Sequence, residues 1–203
     1  MAYVGNWPTT IGFRTMNFKA VSDTKVTTSQ SGRSVRVSTA GTRFAGTIQY
    51  PPMVVGNFKP IQAIATRLQG QLNSFDITLP DVSYNSNGAA YGLTATVDGA
   101  TSAGATSVDV NTNKNSETIF YAGDVLKFAS HNKVYMVVDN VTTDGTGAGT
   151  ISITPSLFED ITDTSSVTVN AVPFRMRLER DIQEYRYATN GTVTYNIDMI
   201  EEI

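Results

Sequence analysis

Hydrophobic positions recur mostly every second residue, in short runs rich in Val, Ile, Thr and Phe that Gly, Pro, Asn and Asp interrupt. That alternation predicts β-strands separated by turns. Residues 16–28 alternate loosely, and Val35-Arg36-Val37 follows a Ser31-Gly32 turn signal. Over 43–50 the pattern puts Phe44, Gly46, Ile48 and Tyr50 on one face and Arg43, Ala45, Thr47 and Gln49 on the other. Pro51-Pro52 ends that strand, because proline cannot donate to a ladder. Residues 175–180 and 192–200 read as two further strands. Before the second of them, Asn190-Gly191 is the dipeptide of a two-residue type I′ hairpin turn. This predicts Thr189 opposite Thr192, Tyr187 opposite Thr194 and Arg186 opposite Tyr195.

One segment departs from the twofold rhythm. Phe58, Ile61, Ile64, Ala65 and Leu68 follow a helical spacing, which predicts a helix near 58–70 with Asn57 as N-cap, Pro60 in the first turn and Gly70 just past the end. Its apolar stripe requires a partner, expected to be one face of the sheet. The middle of the chain, about 89–170, is crowded with Thr, Asp, Gly and Asn. It carries six short strand patterns at 93–97, 107–110, 124–128, 134–140, 149–154 and 167–169. Strands that short and close predict a small barrel. The expected architecture is therefore mainly β. A β-sandwich-like body from residues 1–88 plus 171–203 carries the one packed α-helix, and 89–170 forms an inserted small β-barrel module.

Composition narrows the chemistry. Of 203 residues only 16% are charged, and 15 Lys and Arg against 18 Asp and Glu leave a net charge of −3. Sequence-specific nucleic-acid binding, which calls for a clustered basic footprint, is not expected. With no Cys there are no disulfides or thiolate metal sites, and a single His removes multi-histidine metal sites. No apolar run reaches the ~18 residues of a membrane span. The first ten residues lack the basic start and apolar run of a secretory signal.

Each chemistry-bearing cluster has a competing plain reading. Asp144-Gly-Thr-Gly-Ala-Gly149 is glycine-rich, yet a strand pattern and no Lys follow it, so it reads as a hairpin loop rather than a phosphate cradle. Asp139, Asn140 and Asp144 lack the spacing and closing Glu of a calcium loop. His131, beside Ser130, reads as a solvated residue at a hairpin tip. The carboxylate pairs Glu159-Asp160, Asp181 with Glu184, and Glu201-Glu202 read as solvated acids rather than a glycosidase pair. Arg175, Arg177, Arg180 and Arg186, interleaved with Phe174, Tyr185 and Tyr187, suit either single-stranded nucleic acid or a protein interface. Glu179, Asp181 and Glu184 favour the interface. Trp7, the one Trp, reads as a packing anchor. No catalytic, cofactor-binding or metal-binding residue is expected, and no cofactor.

Three stretches resemble a known pattern: Gln30-Ser-Gly-Arg-Ser34, Thr42-Arg-Phe-Ala-Gly-Thr-Ile-Gln-Tyr-Pro-Pro-Met53 and Leu68-Gln-Gly-Gln-Leu-Asn-Ser-Phe-Asp-Ile-Thr-Leu-Pro80. They resemble tail-tip structural proteins of tailed bacteriophages, in particular the distal tail protein family. The segments Ala122-Gly-Asp-Val-Leu-Lys-Phe128, Val134-Tyr-Met-Val-Val138, Ile151-Ser-Ile-Thr-Pro-Ser-Leu157, Phe174-Arg-Met-Arg-Leu178 and Ile197-Asp-Met-Ile-Glu-Glu202 look similar to phage virion modules. The resemblance implies a non-enzymatic virion protein of the tail tip or baseplate, assembled in the host cytoplasm. It implies self-association in a ring of six copies, with the tail tube and tail hub proteins as partners. The family commonly carries a carbohydrate-binding-like second domain, from which this shorter insert departs. Two other readings stay open. One is a tail tube, terminator or neck protein, marked by a hairpin that donates strands to stacked rings. The other is a carbohydrate-binding module for the host surface.

Overall fold

The computed structural model describes residues 2–38, 41–86 and 92–203. The expected module boundary at 88/89 lies outside the described residues. The chain divides into two compact units, one of Met1–Ser22, Arg43–Ile77 and Arg175–Ile203, the other of Asp23–Thr42 and Thr78–Phe174. The architecture is mainly β, with one α-helix and a closed small barrel, as the hydrophobic pattern predicts.

The first unit is a sheet built on β1 (Tyr3–Asn6), β2 (Thr15–Val21), β5 (Arg43–Gln49), β6 (Met53–Val54), β7 (Ser74–Ile77), β16 (Phe174–Leu178), β17 (Tyr185–Tyr187) and β18 (Thr192–Glu201). Its main order is β1-β7-β16-β18-β5-β2, with β17 and β6 also paired to β18. The ten-residue β18 buries Val193, Tyr195, Ile197, Met199 and Glu201 and turns the alternate residues outward, the period-2 pattern of a strand covered on one face. In β5, Ile48 and Phe44 are buried as predicted, and Ala45 is buried as well.

The helix, α1 (Val55–Arg67), begins three residues before the predicted start, and Asn57 is not its cap. Val54 takes that place in extended conformation without a side-chain bond. The reason is tertiary. Met53 and Val54 pair with Val193 and Thr192 of β18, so the strand is held to Val54 and the helix starts at once. Pro60 therefore falls inside the helix, where it removes one backbone bond. The stripe is read correctly: Phe58, Ile61, Ala65 and Leu68 are buried, and the Phe58 ring meets those of Tyr185 and Tyr195 at 5.2 and 5.8 Å. After the helix, Gln69 and Gly70 both take positive φ. Gly70 also faces Asp181 so closely that a Cβ would lie 2.5 Å from its carboxylate oxygen and 3.0 Å from its Cα, so only glycine fits there.

The β17–β18 hairpin forms with a register one residue away from the predicted one. Tyr185 faces Tyr195, Arg186 faces Thr194 and Tyr187 faces Val193. The Gly191 N–H bonds the Ala188 carbonyl, the Ala188 N–H bonds the Thr192 carbonyl, and Gly191 has φ +78°. This is a three-residue loop with glycine in the left-handed position rather than a two-residue turn. A one-residue slip exchanges strand faces. Here the shift is what lets Tyr185 join Tyr195 over Phe58.

The second unit holds β8 (Ala95–Val97), β9 (Ser107–Thr112), β10 (Thr118–Phe120), β11 (Val125–Phe128), β12 (Val134–Val137), β13 (Val141–Thr142), β14 (Ala148–Thr154) and β15 (Ser166–Thr168). Six of them close into a barrel, β11-β12-β14-β9-β8-β15. Each contains or overlaps one of the six predicted strands. The small β10–β13 pair is an addition the alternation did not reveal, too short to show a period. Side chains from all six barrel strands fill one core, including Val97, Val110, Leu126, Phe128, Tyr135, Ile151 and Val167, so the barrel is packed rather than hollow. The same unit also includes β3 (Thr24–Thr28) and β4 (Ser34–Ser38), which among the described residues pair only with each other.

Candidate assembly surfaces

Among the described residues, the sheet of the first unit ends at β1, which pairs only with β7, and at β2, which pairs only with β5, over seven residues. Long edges present unpaired N–H and C=O groups to any strand that fits them. Along β2, Thr15, Asn17, Lys19, Ala20 and Val21 are exposed, so the surroundings of the edge are open as well.

The β3–β4 hairpin is the second open surface. Every residue described in its strands is exposed, including Val26, Val35 and Val37 at 59%, 62% and 54%. Cross-strand partners share a face, which puts Lys25 beside Val37, Thr27 beside Val35 and Val26 beside Arg36. Neither face packs on a core. A hairpin alone is marginal in water, and this one is exposed on both sides. Sequence alternation located these strands but could not show that none of the described residues covers them. The available signal was the mixture of Val with Thr, Lys and Arg on both faces.

The arginines are paired with carboxylates within the chain. The alternation places Arg175 and Arg177 outward while Phe174, Met176 and Leu178 are buried, as predicted. Arg175 grips Asp76 with two bonds of 2.5 and 3.2 Å, and its guanidinium lies 4.2 Å over the Tyr3 ring. Desolvation, followed by the nearby Asp76 charge, raises the Tyr3 phenol above its ordinary value. Arg177 pairs with Glu202 at 3.1 Å, Arg180 with Asp198 at 3.8 Å, and Arg186 with Glu184 at 3.2 Å. Of the acids expected to balance the stripe, Glu184 does so directly, whereas Asp181 instead accepts the Gln71 N–H at 3.0 Å. The loop carrying Asp181 and β18 line a groove of about 750 Å³ whose tip residue, Ile182, is 85% exposed.

Other singled-out residues take structural posts. His131 is buried rather than solvated, with 4% exposure. Its Nδ1 lies 2.7 Å from the Tyr135 hydroxyl, which also accepts the Phe158 N–H at 3.1 Å. The histidine thereby ties the 129–133 turn to the segment around Phe158, and Ser130 beside it is exposed. The loop from Asp144 joins β13 to β14, as read. The Asp144 carboxylate accepts the Thr146 hydroxyl and the Thr146 and Ala148 N–H groups, and these bonds, the hydroxyl first, hold it below the usual carboxylate range. Asn140 accepts the Ala122 N–H at 3.0 Å. Asp160 accepts the Ala103 N–H at 2.8 Å, and the fully buried Glu201 accepts the Phe44 N–H at 3.0 Å. Among the described residues no three His, Cys, Asp or Glu gather as a metal site, and no helix is long and apolar enough to cross a membrane.

Trp7 is a packing anchor. It is 2% exposed, its Nε1 donates to the Tyr50 hydroxyl at 2.6 Å, and its ring lies 4.9 Å from Phe75. Burial pushes the Tyr50 phenol up to about 12, against the lowering effect of that bond. The buried Asp124, which sequence reading did not single out, accepts the Ser86 N–H, the Ser86 hydroxyl and the Tyr121 N–H. It fastens the segment leading into the barrel to the β10–β11 turn.

The family model described as Distal tail protein pb9, B domain, matches residues 86–172, the span that contains the whole barrel. No curated protein matches the chain. The match bears out, over the insert, the resemblance to the phage distal tail protein family and supports a structural role in a phage tail.

Proposed function

We propose that the protein forms a ring, six copies in the leading reading, at the tip or baseplate of a phage tail, where it joins the tail tube to the host-recognition apparatus. In this reading residues 1–88 with 171–203 are the ring-forming body and 89–170 the insert. The observation that carries it is the sheet whose strand order, among the described residues, ends at β1 and β2. One edge of a copy can pair with the opposite edge of the next, a head-to-tail contact that closes when the rotation per copy divides the circle. The partners are further copies, the tube and the hub, and assembly takes place in the host cytoplasm before the protein resides in the virion tail.

The chain has no cysteine, which makes the test clean. Asn6→Cys combined with Asn17→Cys or Lys19→Cys, in separate double variants, places one thiol on each edge. Oxidation of the full chain, alone and with its tail partners, should give a covalent ladder that stops at the closed ring. Absence of any ladder in both settings overturns the ring. Electron microscopy of labelled particles locates it along the tail.

A stacked tube-like role is the second reading, and the exposed β3–β4 hairpin is what favours it. If the label repeats along the tail instead of marking one end, the tube reading replaces the tip.

A further inference from the structure

Charge is distributed unevenly along the chain. Residues 86–172 hold nine Asp and Glu against three Lys, a net charge of −6. Every one of those acids except Asp124 is exposed, whereas none of Lys114, Lys127 and Lys133 is. Among the described residues of this span, every fully exposed charge is therefore negative. The β3–β4 hairpin is the opposite. Over 24–38 it carries Lys25, Arg33 and Arg36 and no acid, with Asp23 at its base, and all three cations are exposed. The remaining residues are neutral in sum, with nine basic and nine acidic side chains.

We propose that the cationic β3–β4 hairpin of one copy docks on the acidic barrel of a second copy. Its strands are exposed on both faces, so the described residues of its own chain leave it uncovered. The surface most complementary to it is one that every further copy supplies. The pairing also answers two costs at once. The exposed Val26, Val35 and Val37 gain a covering surface, worth about 25 cal/mol per Å² of apolar area buried. The like charges of the barrel gain counter-charges, which speed and orient encounter. Anionic polymers are the competing occupants of a basic hairpin, but a barrel this acidic repels them from the same molecule.

The inference relies on the ring reading only for a second copy at hand, and two measurements separate them. The first is carbodiimide coupling of an equal mixture of isotope-labelled and unlabelled full chains in assembled particles, which joins Lys25 to any carboxylate it touches. Links between copies from Lys25 to barrel acids such as Asp98, Asp109 or Asp163 are expected. They should fall at least tenfold when coupling is done in 1 M salt, where the screening length drops from about 10 Å at 0.1 M to about 3 Å. Links from Lys25 only to the body, to another protein or to nothing overturn the proposal, even if the edge-to-edge cysteine ladder still forms and the ring stands.

The second measurement is charge exchange. Lys25→Glu with Arg33→Glu and Arg36→Glu should cut assembly at least tenfold without changing the melting curve, since these side chains are exposed. Asp98→Lys with Asp109→Lys and Asp163→Lys on the barrel should restore it. Undiminished assembly of the hairpin variant, or a loss the barrel variant does not rescue, refutes the docking.

Discussion

The barrel and the sheet of the first unit use similar short strands and end differently. Six barrel strands return on themselves, so every strand has two neighbours and the ladder has no end. The larger sheet has β1 and β2 at the two ends of its strand order. Closure makes a β-structure self-sufficient, whereas an open sheet leaves the means of association at its margins. The difference lies in strand order. One chain thus holds one closed and one open β-module.

That contrast can be attacked where effects are largest. Phe128 is fully buried among the barrel strands, and Phe128→Ala should cost about 3–5 kcal/mol. Urea unfolding would measure the loss, and amide exchange should place it in the barrel. A loss below 1 kcal/mol would mean the barrel is not held by its closed core. Asp124→Ala strands the Ser86 and Tyr121 N–H groups and should cost about 2–3 kcal/mol, read by the same method. In the open-sheet unit, Tyr50→Phe removes the acceptor of the Trp7 indole, and a loss of about 1 kcal/mol is expected, with a change in Trp fluorescence.

The smallest expected effect is that of pH on the Asp144 loop. Its carboxylate titrates lower folded than unfolded. It therefore contributes stability above the ordinary carboxylate range, and that contribution disappears as pH falls through the depressed value. An NMR titration following the Thr146 and Ala148 amides should show a midpoint below the usual ~3.9. A midpoint at or above that value would remove the capping role.

Much of this was legible from one dimension, for reasons particular residues make plain. The helix stripe from Phe58 to Leu68 and the inward residues of β18 are periodic, and burial follows periodicity. Six barrel strands could be placed because Gly and Asp punctuate them. Legibility failed where distant residues intervene. Asn57 and Pro60 carry the local signals of a helix start, yet pairing of Met53 and Val54 with β18 moved that start. Asn190-Gly191 carries the signal of a two-residue turn, yet stacking of Tyr185 with Tyr195 over Phe58 accompanies the longer loop. His131 sits in a polar stretch, and only the fold brings the Tyr135 hydroxyl to it. The assembly surfaces were the least legible, because exposure of a hairpin or an edge is a fact about what fails to contact it.

Local sequence decided where strands begin to alternate, which face of the helix is apolar, where the turns fall and how charge divides between hairpin and barrel. These depend on bonded neighbours and side-chain chemistry alone. Tertiary structure decided which strands close and which remain open, the register of the last hairpin and the burial of the lone histidine. Those outcomes are set by residues tens to more than a hundred positions apart competing for the same hydrogen bonds and the same core.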